Sequence, residues 1–515
     1  MLRRTALAAA ALVVTGALLL TACSGGSEPE STGSAGAPDT DASVTIRLVL
    51  EPSNLDIRET AGAALDQILI DNVYQGLVAR TPEQEIVPSL ASDYEVSGDG
   101  LTYTFTLREG VTFHDGQELT PQDVVWSLNQ VKDNAAYRDS ARLAGISSIA
   151  ADGQEITITL AQPDSSFLWN LSGRAGLVLK EGDTIDRKTK TNGTGPFKLA
   201  SWKQGDSITF ERNDDYWGDE AKVAEVVFDY IPDNQAALNA ALAGEIDVVT
   251  GFVATLKDQI EAGGDFTVNF GKSTDKGTLA MNSTKPALSD ERVRQAIRQA
   301  IDHDALVEAL ESGQTLYGPI PELDPGYEDL SDVAPYDPDA AKALLAEAGA
   351  TNLSLTLTIY NGYPTIIPQI LVSDLAAVGI ELKVDSVEFP TWINDVYANK
   401  NPEENPTTYV NDGWDLSFVL HTEARDFENW TNPAYYFGYD NPEVQRLYKE
   451  SLAATDEAKA ADLLAQAARI VSEDMAADWL FNGASVVAST ADISGMPADN
   501  VNERLNLAEL AKSKG

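Results

Sequence analysis

The side chains that most often carry catalysis are few and widely separated in this chain of 515 residues. Its three histidines, His114, His303 and His421, show no His-Glu-x-x-His spacing, which argues against a zinc hydrolase. No Gly-x-Ser-x-Gly sequence marks a serine nucleophile, and Gly193 and Gly195 lack the third glycine of a dinucleotide-binding loop. We therefore expect a protein that is not an enzyme and that uses no metal and no cofactor.

Cys23 is the only cysteine, and its surroundings suggest a lipid attachment site. Arg3 and Arg4 precede an uncharged apolar run over residues 6–20, which has the length of a secretory signal rather than of a membrane span. The sequence LTAC at 20–23 resembles the lipobox of bacterial lipoproteins, in which cleavage precedes the cysteine and its sulfur is acylated. The alternative is a free thiol behind an ordinary signal peptide. We expect a signal peptide over 1–22 and a lipidated cysteine with a flexible tether over 23–43, attached to the outer face of the cell membrane.

The charge composition excludes several classes of partner. Lys and Arg number 36 against 80 Asp and Glu, which gives a formal net charge of -44. Such a surface repels phosphate backbones and anionic lipid headgroups, so we expect neither nucleic-acid binding nor polybasic membrane binding. With one cysteine there is no intrachain disulfide, and stability must come from packing. About 470 residues follow the tether, enough for two or three domains, and we expect a monomer.

The first half of the folded part reads mainly as strands. Residues 101–107, LTYTFTL, alternate apolar side chains with threonine, which predicts a half-buried antiparallel strand. Residues 61–77 carry apolar side chains at helical spacing. Further strands are predicted at 44–50, 156–160, 196–200, 208–211 and 226–231.

After residue 285 helices become longer. We expect Ser289 to cap one helix, the pair Asp337-Pro338 to begin a second, and Asn441-Pro442 a third, before an amphipathic helix over 456–475. Residues 353–359 and 380–384 alternate as strands around a helical stretch at 366–378, which predicts a parallel pair.

The order of several short segments resembles the family 5 extracellular solute-binding proteins, the peptide- and nickel-binding components of ABC importers. The resemblance is carried by residues 86–91 (IVPSLA), 101–107, 107–116 (LREGVTFHDG), 120–124 (TPQDV), 194–197 (TGPF) through 216–217 (YW), 243–248 (AGEIDV) and 290–304. It runs from about residue 44 to 508, and the shared order makes it specific.

This resemblance implies an α/β fold of the type II clamshell class, in its large three-domain variant (cluster C) with mixed sheets and two hinge strands. Domain I would be discontinuous over 44–82, 188–280 and 482–508, domain II would cover 83–187, and domain III 281–481. Ligand would be enclosed between domains I and III as they close about the hinge strands.

The resemblance also implies where a peptide amine would bind. In peptide-binding members an acid that follows a strand of domain III takes the ligand's α-ammonium; the matching stretch here includes His421, Thr422, Glu423 and Asp426. Alignment from the Asn429-Trp430 side puts Glu423 at the acid's position. Alignment from the strand side puts Ala424 there and leaves Asp426 as the nearest acid. Alternatively, Glu423 pairs on the surface with Arg425 or Lys383, and His421 is a turn residue rather than a metal ligand.

Aromatic side chains are the other candidates. Phe389 and Trp392 match the family segment where an aromatic lies beside the ligand, although either could equally belong to the core. The family's basic residue for the ligand carboxylate falls at 393–397, where this chain has no Arg or Lys. Either the carboxylate is bound elsewhere or the ligand has none. Residues 435–437 (YYF) fit the cleft or an ordinary aromatic cluster equally well.

Together these features predict a lipid-anchored substrate-binding protein that captures peptides and delivers them to an ABC permease with its cytoplasmic ATPases. The alternatives are a binder of another solute, such as an oligosaccharide, an opine or a metal chelate, and a secreted hydrolase.

Overall fold

The computed structural model describes residues 38–60, 63–137, 139–397, 414–433, 435–436, 438–499 and 504–514. The predicted signal peptide and Cys23 lie outside these ranges. Among the described residues, no helix is both long enough and apolar enough to cross a bilayer.

Nineteen strands are described, most of them in one large mixed sheet. They are β1 (Ser43–Leu48), β2 (Val78–Arg80), β3 (Ile86–Pro88), β4 (Ala91–Val96), β5 (Thr102–Leu107), β6 (Ile146–Asp152), β7 (Glu155–Leu160), β8 (Phe197–Lys203), β9 (Ser207–Arg212), β10 (Glu225–Tyr230), β11 (Val248–Val249), β12 (Phe266–Met281), β13 (Gln314–Thr315), β14 (Ser354–Tyr360), β15 (Glu381–Val387), β16 (Leu416–His421), β17 (Ala477–Thr490), β18 (Ile493–Ser494) and β19 (Ala511–Lys512).

The large sheet has eleven strands in the order β15-β14-β16-β12-β17-β11-β1-β10-β9-β8, with β13 paired to β17. Strands β12 and β17 are 16 and 14 residues long and run antiparallel through its middle. One end of β12 pairs with β16, whereas β17 also pairs with β11. These two strands therefore join two halves of the sheet, as the mixed-sheet fold with two long connecting strands requires.

A separate antiparallel sheet, β4-β5-β7-β6, contains the threonine-rich strands. Tyr103, Phe105 and Leu107 of β5 are buried, as their alternation predicts. They pack in one apolar cluster with residues of the following helix, including Val124 and Leu128. Other large clusters lie under β1 and β10 and under β14 and β16.

The helices are described at these bounds: α1 (Ala63–Leu69), α2 (Pro121–Asp133), α3 (Phe167–Leu171), α4 (Asn234–Leu242), α5 (Lys257–Glu261), α6 (Glu291–Ala300), α7 (His303–Leu310), α8 (Pro338–Glu347), α9 (Ile366–Ala377), α10 (Phe389–Trp392), α11 (Pro442–Leu452) and α12 (Glu457–Glu473). A π-helical turn, Ile393–Tyr397, continues α10, and four 3₁₀ turns are Ser140–Leu143, Arg174–Gly176, Ala254–Leu256 and Phe427–Thr431. The predicted caps at Asp337 and Asn441 are confirmed, because each side chain accepts backbone N–H groups of the first turn. The parallel pair β14–β15 around α9 is also confirmed.

Two local predictions were wrong. The cap of α6 is Asp290, whose carboxylate accepts the N–H of Arg292, while the hydroxyl of Ser289 donates to the carbonyl of Pro286. The helix predicted over 61–77 ends at Leu69, and Asp71 adopts a φ of 63°. Asn72 beyond that end bonds to the backbone of the C-terminal segment, so a contact distant in sequence replaces the helical turns.

Candidate functional site

The turn that follows β16 contains three of the six residues predicted to bind ligand, Thr422, Glu423 and Asp426, and a fourth, His421, is the last residue of the strand. Strand β16 pairs with β12 so that His421 lies opposite Lys276. Arg425 then takes a φ of 55°, and its backbone N–H donates to Oδ2 of Asp324 at 2.7 Å. The hydroxyl of Thr274 donates to the carbonyl of Thr422 at 3.4 Å. The turn is therefore fixed to β12 on one side and to the Asp324 loop on the other.

Asp426 forms a buried ion pair inside the turn. Its Oδ1 lies 3.2 Å from Nζ of Lys276, and the two side chains are only 6% and 2% exposed. The same ammonium donates to the carbonyls of Thr274 at 3.3 Å and Glu423 at 2.9 Å. All three ammonium hydrogens thus have acceptors within the protein, and Asp426 neutralises a charge that would otherwise be buried alone.

His421 is held next to this pair as a neutral ring. Its Nε2 lies 2.8 Å from the hydroxyl of Tyr436, and its Nδ1 lies 3.9 Å from Oδ2 of Asp426. Burial, together with the positive charge of Lys276, lowers the pKa of His421 to about 3. The described residues contain no cluster of His, Cys, Asp and Glu that could hold a metal ion. His421 is thus a packed residue at the end of β16, with a side chain that is only 10% exposed.

Glu423, in contrast, points to a solvent-accessible space. Its side chain is 52% exposed, and Oε1 accepts a hydrogen bond from Nη2 of Arg142 at 2.6 Å. Its partner is therefore neither Arg425 nor Lys383, the two cations considered from the sequence. Arg142 belongs to the 83–187 segment, whereas Glu423 belongs to the 281–481 segment. The ion pair joins two segments that the family resemblance assigns to different domains.

Trp392 is packed in the core in this conformation. It is 4% exposed, and its indole N–H donates to the hydroxyl of Ser417 at 2.9 Å. That hydroxyl donates in turn to the carbonyl of Thr358 at 2.7 Å. Phe389 begins α10, and its side chain lies outside the described part of the structure. A contact of either residue with ligand stays a prediction.

A cavity of about 250 Å³ opens beside Glu423. It is lined by Thr422, Glu423 and Ala424 from the turn and by residues of α1, β2, α3, the 139–142 turn, the 173–175 turn and Arg504. Four arginines line it, against three carboxylates: Arg80, Arg142, Arg174 and Arg504, and Asp66, Asp139 and Glu423. An excess of arginine is unexpected in a protein of net charge -44.

The four arginines differ in how well they are paired. Nη2 of Arg174 lies 2.6 Å from Asp66, and its Nε lies 3.6 Å from Asp139. Arg504 donates to the carbonyl of Ser172 at 3.0 Å and lies 3.7 Å from Asp71. The Nε and Nη1 atoms of Arg80 are buried and have no hydrogen-bond partner among the described residues.

Trp169 separates this cavity from a second one of about 720 Å³. The guanidinium carbon of Arg80 lies 3.8 Å from the centre of a Trp169 ring, and that of Arg425 lies 3.7 Å from it. Arg80 lines the first cavity, Arg425 the second, and Trp169 both. Asp426 also lines the second cavity, so the two candidate acids face different spaces.

Sequence reasoning missed the arginines and Trp169. They are scattered over more than four hundred positions and belong to no motif, so only folding brings them together. The one available signal was the rarity of basic residues, 36 against 80 acids, which makes any cluster of them informative.

Comparison with known proteins identifies similar sequences and folds. Residues 85–422 match the family described as bacterial extracellular solute-binding proteins, family 5, middle region. The oligopeptide-binding protein AppA of Bacillus subtilis is 27% identical over 531 residues, covering 96% of both chains. Heme-binding protein A of Haemophilus influenzae is 27% identical over 459 residues, covering 79% of this chain and 81% of its own. The structure of the periplasmic binding protein DppA of Helicobacter pylori, in complex with the peptide STSA, superposes with a TM-score of 0.78 at 23% identity, covering 92% and 99%.

Proposed function

Because this chain belongs to the family 5 bacterial extracellular solute-binding proteins, we propose that it captures peptides outside the cytoplasm and delivers them to the permease of an ABC importer. One relative, of which 96% is covered by the match, is named for oligopeptide binding. We assign no catalytic role, since the protein's task in such a system is to bind and release.

The charges around the first cavity carry the proposal for peptides. A peptide with free ends has an ammonium and a carboxylate, and the cavity is lined by Glu423 and by four arginines. Glu423 is paired with Arg142, which lines the same cavity. A zwitterion entering between them would exchange one protein–protein ion pair for two protein–ligand pairs, and no charge would be left without a partner.

Of the two candidate acids, Glu423 is the better amine anchor. Asp426 is paired with Lys276, and a ligand ammonium there would bring a second positive charge next to a buried one. Glu423 has an accessible carboxylate that needs no such rearrangement. His421 and Thr422 then act through the backbone and packing of the turn.

We further propose that the segments 44–82, 188–280 and 482–508 form one lobe with 83–187, and that 281–481 forms the other. The strands β12 and β17 would be the hinge. Acylation of Cys23 would keep the protein at the outer face of the membrane, and the residues between Cys23 and Pro38 would let it reach the permease. The predicted tether over 23–43 is too long at its C-terminal end, because Pro38 pairs with Ser513 and β1 begins at Ser43.

A non-peptide solute is the second candidate. It is favoured by the arginine excess in the cavity and by a relative that is named for heme binding. An anionic solute without an amine would use the arginines and leave Glu423 with Arg142.

Native mass spectrometry of the protein purified from its own cells tests these proposals directly. Trapped peptides would appear as a set of mass additions that disappear on unfolding, and tandem fragmentation would read their sequences. A single non-peptide mass would favour the second candidate. Incubation with labelled peptides provides the enzyme control, since cleavage at a protein-dependent rate would contradict a pure binding role.

A further inference from the structure

The carbonyl end of α11 is capped by a residue from a distant segment of the chain. The last carbonyls of a helix have no hydrogen-bond partner within the helix itself. In α11 the carbonyl of Leu452 accepts the backbone N–H of Ser165 at 2.8 Å, and the carbonyl of Ser451 accepts the Ser165 hydroxyl at 3.0 Å. Ser165 belongs to the 83–187 segment and α11 to the 281–481 segment, so both hydrogen bonds cross between the two proposed lobes.

The loop that carries Ser165 is held by contacts within its own segment. Oδ1 of Asp164 accepts the backbone N–H of Ser166 at 2.9 Å and the Ser166 hydroxyl at 2.6 Å. The carbonyl of Asp164 accepts the hydroxyl of Tyr103 at 3.4 Å. Ser165 therefore presents its two donors from a loop that is already supported without α11.

A second contact lies just beyond the end of α11. Gly100, in the turn between β4 and β5, is buried and has a φ of 69°. A Cβ at this position would lie 2.9 Å from Cγ2 and 4.0 Å from Cβ of Thr455, which belongs to the connection between α11 and α12. Glycine here allows the turn to approach Thr455 more closely than a side chain would permit. The end of α11 is thus contacted at two places by the same opposing segment.

The two segments share little apolar core. Among the described residues, the large apolar clusters around β5 and around α12 do not combine side chains of the 83–187 and 281–481 segments. A small cluster does combine them, and its buried members are Trp169 and Ala424. A small and largely polar interface between domains allows relative motion, whereas a large shared core would fix them together.

We propose that Ser165 and the last two carbonyls of α11 form a latch that holds the two lobes together after they have closed on a solute. This inference rests on the proposed function and deepens it, because it adds how a bound solute is retained. Ser165, Ser451 and Leu452 also line the second cavity, so parting of the latch would open one wall of that cavity. In the open form water would bind the same donors and acceptors, so the latch adds a modest stabilisation and stays reversible.

Exchange of bound peptide tests the latch hydroxyl. Protein loaded with a pool of tri- to pentapeptides would be mixed with an excess of the same pool in heavy-isotope-labelled form, and native mass spectrometry would follow the replacement. Ser165→Ala should exchange roughly 2- to 13-fold faster than wild type, the range for one neutral hydrogen bond. Ser147→Ala is the matched control and should exchange at the wild-type rate, because the exposed Ser147 also donates to a backbone carbonyl, that of Thr159 at 2.9 Å, but within its own segment. Equal unfolding temperatures for the two variants exclude misfolding as the cause.

A reversible covalent lock tests the lobe contact itself. Gly100→Cys combined with Thr455→Cys places two Cβ atoms about 4.0 Å apart, inside the range of roughly 3.5–4.5 Å for a disulfide bond. Cys23→Ser in the same full-length chain leaves the engineered pair as the only thiols. Oxidation should stop peptide exchange on the time scale of wild-type release, and reductant should restore it. Without peptide, the oxidised form should have the smaller radius of gyration in solution scattering.

Four results would count against the inference. Exchange at the wild-type rate in Ser165→Ala would overturn the role of its hydroxyl. Failure of the engineered pair to oxidise would contradict the approach of the β4–β5 turn to Thr455. Unchanged exchange in the oxidised form would show that the contact persists in the open form, which overturns the latch and leaves the peptide function intact. A pool that does not bind to wild type would overturn the proposed function; equal radii of gyration for oxidised and reduced protein would then overturn the latch as well.

Discussion

Glu423 and Arg142 are 281 positions apart in sequence, yet Oε1 of one lies 2.6 Å from Nη2 of the other. The same two segments also meet where Arg425 stacks on Trp169. The Glu423 carboxylate is 52% exposed and the Arg142 side chain 31% exposed, so solvent screens their attraction. The pair contributes little to stability and can be exchanged for a ligand at low cost.

Replacing Glu423 by Gln should weaken peptide binding by roughly 10- to 150-fold, because a charge-assisted hydrogen bond to the ligand ammonium is worth about 1.5–3 kcal/mol. N-acetylation of the peptide should weaken wild-type binding by a similar factor and hardly affect Glu423→Gln, since both changes delete the same contact. Isothermal titration calorimetry on the four combinations measures the coupling.

Asp426→Asn is the control for this cycle. If acetylation and Asp426→Asn prove coupled while acetylation and Glu423→Gln are additive, the amine is bound in the second cavity instead. If neither variant changes the effect of acetylation, the ligand is not held by its amine.

The pair Asp426–Lys276 should matter for stability rather than for specificity. Removing one partner of a buried ion pair costs about 3–5 kcal/mol, so Asp426→Asn should lower the free energy of unfolding by that amount. Glu423→Gln should change it by less than about 1 kcal/mol. Urea denaturation followed by circular dichroism measures both. Adding Lys276→Met to Asp426→Asn should restore most of the loss; a double variant as unstable as the single one would contradict the pairing argument.

The sequence predicted the elements whose patterns are local. The alternation of apolar and polar residues at 353–359 and 380–384, with a helical stretch between them, was sufficient to predict a parallel pair of strands. The pair Asp337-Pro338 was sufficient to predict the start of a helix. The prediction of a helix over 61–77 failed. The helical spacing of apolar residues continues past Leu69, but the helical backbone hydrogen bonds end there. There the chain leaves the helix because the Asn72 side chain forms hydrogen bonds with the backbone of Leu505 and Leu507. These partners are more than 400 positions away, so the local sequence gives no sign of them.

Of the residues that line the candidate cavity, the sequence pointed only to Thr422 and Glu423. Glu423 could be located through resemblance, because it lies in a segment with a recognisable strand and turn. Its partner Arg142 could not, since pairs 281 positions apart leave no trace in one sequence. Arg80 and Arg504 were missed for the same reason, and their unused donors become visible only when burial is known.

Stability should depend on pH through His421, which faces Lys276, Asp426 and Tyr436. Burial holds its folded pKa at about 3, below the unfolded value near 6.5. The unfolded chain therefore binds one more proton between these values. The contribution of the neutral His421 ring to stability is complete above pH 6.5. It is lost as the pH falls toward 3, by about 1.4 kcal/mol per pH unit.

His421→Gln keeps a hydrogen-bond acceptor for the Tyr436 hydroxyl and removes the imidazole that takes up the proton. Its free energy of unfolding should fall less steeply than that of wild type between pH 6.5 and 4.5, in parallel urea titrations. His114, whose pKa burial lowers to about 4, remains in both proteins and cancels in the comparison. Parallel curves for the two proteins would show that His421 is charged in the folded state.

Cys23→Ser tests the anchor. A serine hydroxyl cannot form the thioether of a lipidated cysteine, so the variant should accumulate as precursor or be shed into the medium. Fractionation with carbonate washing and labelling with a fatty-acid analogue measure attachment. A variant that stays bound to washed membranes would contradict the predicted lipidation.

Ligand binding should make the protein more compact, because the two segments that Glu423 and Arg142 join would close on the peptide. We expect a smaller radius of gyration in solution scattering and a higher unfolding temperature with peptide present. Arg142→Gln removes the cross-segment pair, worth about 0.2–1 kcal/mol when exposed, and should shift the ligand-free population toward open forms by roughly 1.4- to 5-fold. Arg446→Gln is the matched control, because among the described residues Arg446 forms its ion pairs with Glu443 and Glu450 of its own helix α11. Equal radii for both variants with and without peptide, alongside thermal stabilisation, would indicate a preformed pocket that binds without closure.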